Sequence, residues 1–271
     1  MEPSITSPSK SVLNVSSQHV PAVDLYLTLL KASLTNTVFA REPNADGESE
    51  MEYVRGFIDH YIKTPAISML PLARFENLQS CILDVIERRV PGDLIETGVW
   101  RGGATIFMRG VLKAHNISDR NVWVADSFEG LPKPDAEKYP LEAEVHNGLV
   151  MEKVYNHFAV SLEEVKANFE AYRLLDEQVR FLKGWFKDTL PTAPIASISV
   201  MRLDGDYYES TMDGLINLYG KLSVGGYVII DDYGEDSWTN CRKAVDDFRS
   251  KQGIEDAMVR VDSKCYYWQR S

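Results

Sequence analysis

Cysteine is scarce in this chain. Three occur in 271 residues, Cys81, Cys241 and Cys265, an odd number at wide spacing that argues against a disulfide framework and against a cysteine-based zinc site. Long apolar runs are missing too, since none approaches the roughly 20 residues a membrane-spanning helix needs. The opening MEPSITSPSKSVLNVSSQ has no apolar core of the kind a secretory signal carries. Residues 1–20 therefore read as a disordered tail on a cytoplasmic protein. Basic residues are in the minority, 29 against 40 acidic for a net charge of −11, and no local basic patch offsets them. Neither nucleic acid nor an anionic membrane surface is an expected partner. Internal repeats and low-complexity tracts are absent as well.

What is present is an ordinary globular composition, 44% hydrophobic and 25% charged, at a length that suits one large α/β domain with additions. Apolar spacing predicts helices over 24–39 and 72–90, separated by the polar break REPNADGESE. From there strand and helix patterns alternate. GDLIETG (92–98), NVWVADS (121–127), VRFLKG (179–184), ISVMRLDG (198–205) and YVIIDD (227–232) read as strands of a doubly wound parallel sheet. Two β-prone runs close the chain, MVRVDS (258–263) and CYYWQR (265–270), with no room for a helix between them. A terminal antiparallel hairpin follows, a sheet ending that resembles that of class I S-adenosylmethionine (SAM) methyltransferases.

Acids stand where the apolar runs stop: Asp204 and Asp206 after one, Asp231 and Asp232 after another. In open α/β sheets ligands collect beyond the carboxyl ends of the strands. Either pair alone also reads as a turn former or a helix cap, but convergence on neighbouring strands favours a site. Three carboxylates brought together repel one another unless a cation neutralises them. Oxygen donors without nearby histidine or cysteine suit magnesium, calcium or manganese rather than zinc. The first strand and its turn, LIETGVWRGGATIFM, supply glycines for close backbone approach at a helix start. The Gly-x-Gly-x-x-Gly dinucleotide fingerprint fails, because Gly98 opens Gly-Val-Trp-Arg-Gly-Gly. Glu96 suits the donors of an amino-acid-like ligand, and Asp126, ending the second strand, suits a pair of ribose hydroxyls.

The segments DLIETGVWRGGATIFMRGVLKAH, VWVADSFEGLPKPD, VRFLKGWFKDTLPTAP, RLDGDYYESTMD and VIIDDYG resemble the macrocin O-methyltransferase family along nearly the whole chain. That resemblance implies an α/β fold with a class I SAM-dependent methyltransferase (Rossmann-like) sheet, its C-terminal antiparallel hairpin and an N-terminal helical extension. It divides the chain into the tail, an extension over 21–90 and a methyltransferase domain over 91–271 that carries an acceptor lid at 134–160. The implied activity is methylation of a sugar hydroxyl on a natural-product glycoside, with SAM and Mg2+. Asp204, Asp231 and Asp232 fall on the family's metal ligands and Asp206 on its general base. Met69, Glu96, Thr97, Gly98, Gly102, Asp126, Ser127, Gly184 and Trp185 fall in its SAM-binding segments. Met69 does so in an altered context, Ser-Met-Leu-Pro. A metal-dependent catechol-type O-methyltransferase is the alternative reading. The resemblance also implies at least a homodimer, with the N-terminal helices near its interface.

A sugar hydroxyl is a very weak acid and a free carboxylate, with a pKa of about 4, a weak base. Metal coordination is what brings the two within reach. Trp100 and Trp185 flank the glycine turns and suit core packing better than stacking on a ligand. His146 and His157 read as solvated loop residues. Of Tyr207 and Tyr208, one is expected to pack and the other to meet the acceptor.

Overall fold

The structure, a computed structural model, describes residues 21–38, 55–56, 58–148, 154–234 and 240–271. The tail expected over 1–20, the polar break at 41–50 and part of the lid, 149–153, lie outside these.

Among the described residues seven strands form one sheet in the order β3-β2-β1-β4-β5-β7-β6: β1 Asp93–Thr97, β2 Val122–Asp126, β3 Val179–Lys183, β4 Ile198–Leu203, β5 Leu222–Ile230, β6 Val259–Arg260 and β7 Tyr266–Gln269. Pairs among β1 to β5 are parallel, while β7 runs antiparallel to β5 and to β6. All six residues of β4 are buried, as a central parallel strand covered by helices on both faces must be. Alternation sends Leu94 and Val200 to a core beneath the helices Ala22–Leu34, Leu72–Glu87, Gly103–Ala114 and Leu162–Ala171. Ile95 and Met201 go to a second core beneath Tyr208–Leu218 and Cys241–Gln252.

Both N-terminal helices are shorter than their apolar spacing predicts. The first stops at Leu34, where Asn36 takes φ 58°. The amide of Thr37 then donates to Ala32 and that of Asn36 to Ser33, a left-handed termination of the Schellman type. Leu72–Glu87 ends the same way, with Arg89 at φ 56°. The final hairpin is also shortened, and β6 keeps two residues. Asp262 accounts for this: its Oδ1 accepts from the amides of Lys264 and Cys265 at 2.8 and 2.7 Å, turning the chain before a longer ladder can form. Cys81, Cys241 and Cys265 are free and buried. Among the described residues no helix is long and apolar enough to cross a membrane.

Candidate active site

The strand order reverses between β1 and β4, and beyond their carboxyl ends opens a cavity of about 700 Å³. This is the crevice where doubly wound sheets bind ligands, at a size typical of small-molecule sites. Met69, Glu96, Gly98, Asp126, Ser127 and Trp185 line it, as do Asp204, Asp206, Asp231 and Asp232. Thr97, Gly102 and Gly184 stand behind the wall as frame. Thr97 lends its carbonyl to the Asp204 amide at 2.9 Å, and the Gly184 amide donates to the Asp126 carbonyl at 2.9 Å. Gly102, at φ 89°, precedes the helix Gly103–Ala114.

Backbone contacts bring the cofactor-side turn and the acid-bearing turn together. A Cβ added to Gly98 would lie 1.7 Å from the Asp204 carbonyl oxygen, and Gly98 takes φ +82°. Gly98→Ala is expected to destabilise the fold by about 3 kcal/mol, combining left-handed backbone with overpacking. Thermal unfolding reads this directly, and an unchanged midpoint would mean that the turn is free to move. Arg101 fixes the same turn from outside, donating to the carbonyls of Tyr61 at 3.1 Å and Ala66 at 2.7 Å. Asp126 receives the amides of Val99 and Phe128, both at 2.7 Å. Its Oδ1 also faces the Ser127 hydroxyl at 3.3 Å.

Behind the cavity lies a charge network that sequence reasoning missed. Arg202, cross-strand partner of Glu96, is 1% exposed. Its Nη1 donates to Glu96 Oε1 and to Asp204 Oδ2, the latter at 2.9 Å, and its Nη2 donates to Asp231 Oδ1. Arg74, from the helix Leu72–Glu87, donates to Asp231 Oδ2 and Asp262 Oδ2, each at 2.6 Å. Both oxygens of Asp231 are thus held by guanidinium groups. Although burial opposes it, Arg202 and Arg74 keep its carboxyl below the usual range.

The other three acids face one another instead. One oxygen each of Asp204, Asp206 and Asp232 lies within 4.8 Å of the others. Oxygens on opposite sides of a magnesium ion stand roughly 4.2 Å apart, so small side-chain adjustments close the set around a cation. Burial, then the neighbouring acids, pushes Asp206 and Asp232 well above the ordinary carboxylate range and Asp204 up to about 6. Asp232 Oδ2 is buried without a hydrogen-bond partner, as is Glu96 Oε2. Burial raises Glu96 to about 8 against the pull of Arg202. A divalent cation fits the first orphaned oxygen, and a hydrogen-bond donor of a bound ligand fits the second. The structure therefore groups Asp206 with Asp204 and Asp232, and gives Asp231 to the arginines.

Several side chains depart from expectation. His146 is no solvated residue: its Nδ1 shares a hydrogen bond with the Tyr207 hydroxyl at 2.9 Å, and its ring meets Tyr155 edge-on at 4.9 Å. Its half-buried imidazole has its pKa lowered by burial. Tyr207 is the packed member of its pair, at 2% exposure. Tyr208 donates to Asp247 at 2.8 Å and stacks on Tyr139, and neither tyrosine lines the cavity. Trp100 does line it, with Nε1 donating to the His157 carbonyl at 2.8 Å.

Against this geometry the comparisons with known proteins are specific. The macrocin O-methyltransferase (TylF) family matches residues 62–270. The chain belongs to the macrocin O-methyltransferase family. It is a SAM-dependent O-methyltransferase on that membership. Among characterised members, the 8-demethyl-8-(2,3-dimethoxy-alpha-L-rhamnosyl)-tetracenomycin-C 4'-O-methyltransferase of Streptomyces olivaceus is 48% identical, covering 92% of this chain and 94% of its own. The demethyldecarbamoylnovobiocin O-methyltransferase of Streptomyces niveus is also 48% identical, over 91% of this chain and 94% of its own. The solved O-methyltransferase NovP superposes with a TM-score of 0.79 at 49% identity, covering 92% of this chain and 99% of that one. The class I SAM-dependent sheet with its terminal hairpin is thereby the fold of this chain.

Proposed function

We propose that this enzyme transfers a methyl group from SAM to a sugar hydroxyl of a natural-product glycoside, with a divalent cation held by Asp204 and Asp232 and with Asp206 as general base. The observation that carries this reading is the grouping of the three carboxylates on the wall of the cavity, one of them with an orphaned oxygen. The relatives' activities on glycosylated natural products support the acceptor class.

Glu96 Oε2 is suited to receive a donor of SAM, and Asp126 the ribose hydroxyls. When bound, a divalent cation supplies the Lewis acidity that makes a sugar hydroxyl acidic enough to lose its proton. Asp206 takes that proton while the oxygen bonds to the methyl carbon and the carbon–sulfur bond breaks, with S-adenosylhomocysteine leaving. Asp231 acts through its partners, holding Arg202 and Arg74 in place under the acids. Each of its oxygens accepts from one arginine and keeps a lone pair with which Asp231, on the cavity wall, could still join the cation. Holding the hydroxyl in line with the methyl group contributes the remainder, since effective molarities of such arrangements reach about 10⁵ M or more.

A panel of glycoside and catechol acceptors, assayed with SAM and Mg2+ and again with a chelator, tests the reading. Methylation of glycosides that chelation abolishes is the expected result, whereas methylation of catechols alone would overturn it. A second expectation concerns protons. Asp206 and Asp232 hold theirs further up the pH scale than free carboxylates do, and cation binding must expel them. Mg2+ affinity therefore rises with pH through their raised range, by up to about tenfold per pH unit for each proton released. Calorimetry in buffers of different ionisation enthalpy counts those protons, and zero release would contradict the assignment.

A homodimer is also proposed. Leu25 and Leu29, 58% and 61% exposed, stand one turn apart on the outer face of the helix Ala22–Leu34, an apolar pair that supports an interface there. Sedimentation showing only monomer would refute it.

A further inference from the structure

The lid carries a buried acid that no step above uses. Glu142, on the short helix Pro140–His146, is 1% exposed. Its Oε1 accepts from the amide of Tyr208 at 2.8 Å and from the amide of Asn240 at 3.2 Å. Tyr208 is the first residue of the helix Tyr208–Leu218, and Asn240 caps the helix Cys241–Gln252. Neither helix receives a side-chain hydrogen bond from its own N-cap residue. Their first amides are donors that need a partner once buried, and a carboxylate is the strongest acceptor a protein supplies. One oxygen from the lid therefore ties two helix starts together.

These two starts flank the site. Asp206, at φ 56°, lies just before the first helix, and Asp231 and Asp232 lie in the turn that leads from β5 towards the second. The lid is fastened a second time by His146 to Tyr207. It also has its own small core, where Val154 packs with Leu131, Val145, Tyr155 and Phe158. Leu131 and Phe158 in turn line the cavity. The segment expected to face the acceptor is thus joined to the carboxylate turns by named bonds.

We propose that Glu142 is a positioning residue for methyl transfer, clasping from the lid side the helix starts behind Asp206 and beyond Asp232 so that the acceptor wall and the cation-binding carboxylates are set as one unit. The inference rests on the cation reading given above. Its consequence is that acceptor-side and metal-side geometry are not independent: loosening the clasp degrades the carboxylate cluster even though Glu142 touches neither cation nor substrate.

Calorimetry of Mg2+ and of SAM on the purified native protein, Glu142→Ala and Glu142→Gln separates the possibilities. Glu142→Ala is expected to weaken Mg2+ binding by about 10–100-fold, as loss of a supporting partner does at metal sites, while SAM affinity stays within about twofold of native. Glu142→Gln keeps an oxygen that accepts both amides and is expected to restore most of the Mg2+ affinity. A merely structural role would weaken both ligands together and lower the unfolding midpoint in both variants. Equal Mg2+ affinity in Glu142→Ala and native protein would overturn the proposal, and so would parallel loss of SAM and Mg2+. If Glu142→Ala does not fold, Glu142→Asp, one methylene too short to reach both amides, takes its place with the same expectation. A native protein that binds SAM but no Mg2+ would instead refute the cation reading itself, an outcome distinct from equal affinities in the two proteins.

Discussion

Asp206→Asn is expected to lower kcat by about 10²–10⁴-fold while SAM affinity stays within about twofold of native. The substitution isolates the chemistry because the backbone at this position is left-handed, φ 56°, a conformation that asparagine adopts as readily as aspartate. Size and turn geometry are preserved, and the group able to accept a proton is removed. The carboxamide still offers an oxygen to the cluster, so Mg2+ binding weakens less than turnover does. Rapid-quench measurement of methyl transfer at saturating SAM and acceptor reads the chemical step directly. Near-native turnover would assign the base elsewhere and leave Asp206 as a ligand alone.

The largest effect on stability is expected from Arg202→Met. The guanidinium of Arg202 is shared among Glu96, Asp204 and Asp231 in the middle of a strand buried along its whole length. Methionine fills similar volume but leaves those carboxylates without their cation, and breaking a buried pair from one side costs about 3–5 kcal/mol. For a chain of this size that lowers the unfolding midpoint by on the order of 10 °C. The pH dependence distinguishes this cause from simple mispacking. Arg202 helps hold Asp231 below its ordinary value, so the stability it contributes is present above the unfolded pKa and is lost as pH falls through the folded one. The deficit of the variant is therefore constant at neutral pH and shrinks only below about pH 4, the ordinary carboxylate value. A deficit that does not change with pH would point to packing alone.

The sheet was legible because its strands are short apolar runs that stop abruptly, and each of the five parallel runs holds a strand. The positions of Glu96, Asp126 and the four aspartates followed from the same rule, since ligands gather at strand ends. What could not be read was which acid faces which partner. Asp231 and Asp232 are adjacent and chemically identical, and their separate environments are decided by Arg74 and Arg202, the first of which lies 157 positions away in sequence from Asp231. An arginine inside the run SISVMRL is the signal that was available: a buried cation requires acids around it. His146 was misjudged for a related reason. The helix Pro140–His146 lies against Tyr207, a contact across 61 positions that no local pattern encodes. The helix ends were overrun because apolar spacing continues past residues, Asn36 and Arg89, whose left-handed backbone stops the helix.

The segment proposed to face the acceptor, 134–160, lies between β2 and β3, while Glu96 stands in β1 and the turns that bear Asp204, Asp206 and Asp232 follow β4 and β5. It amounts to an exchangeable cassette on a fixed chassis. Exchanging the segment between members of the family is expected to change acceptor preference, provided that its two fasteners, Glu142 and His146, travel with it.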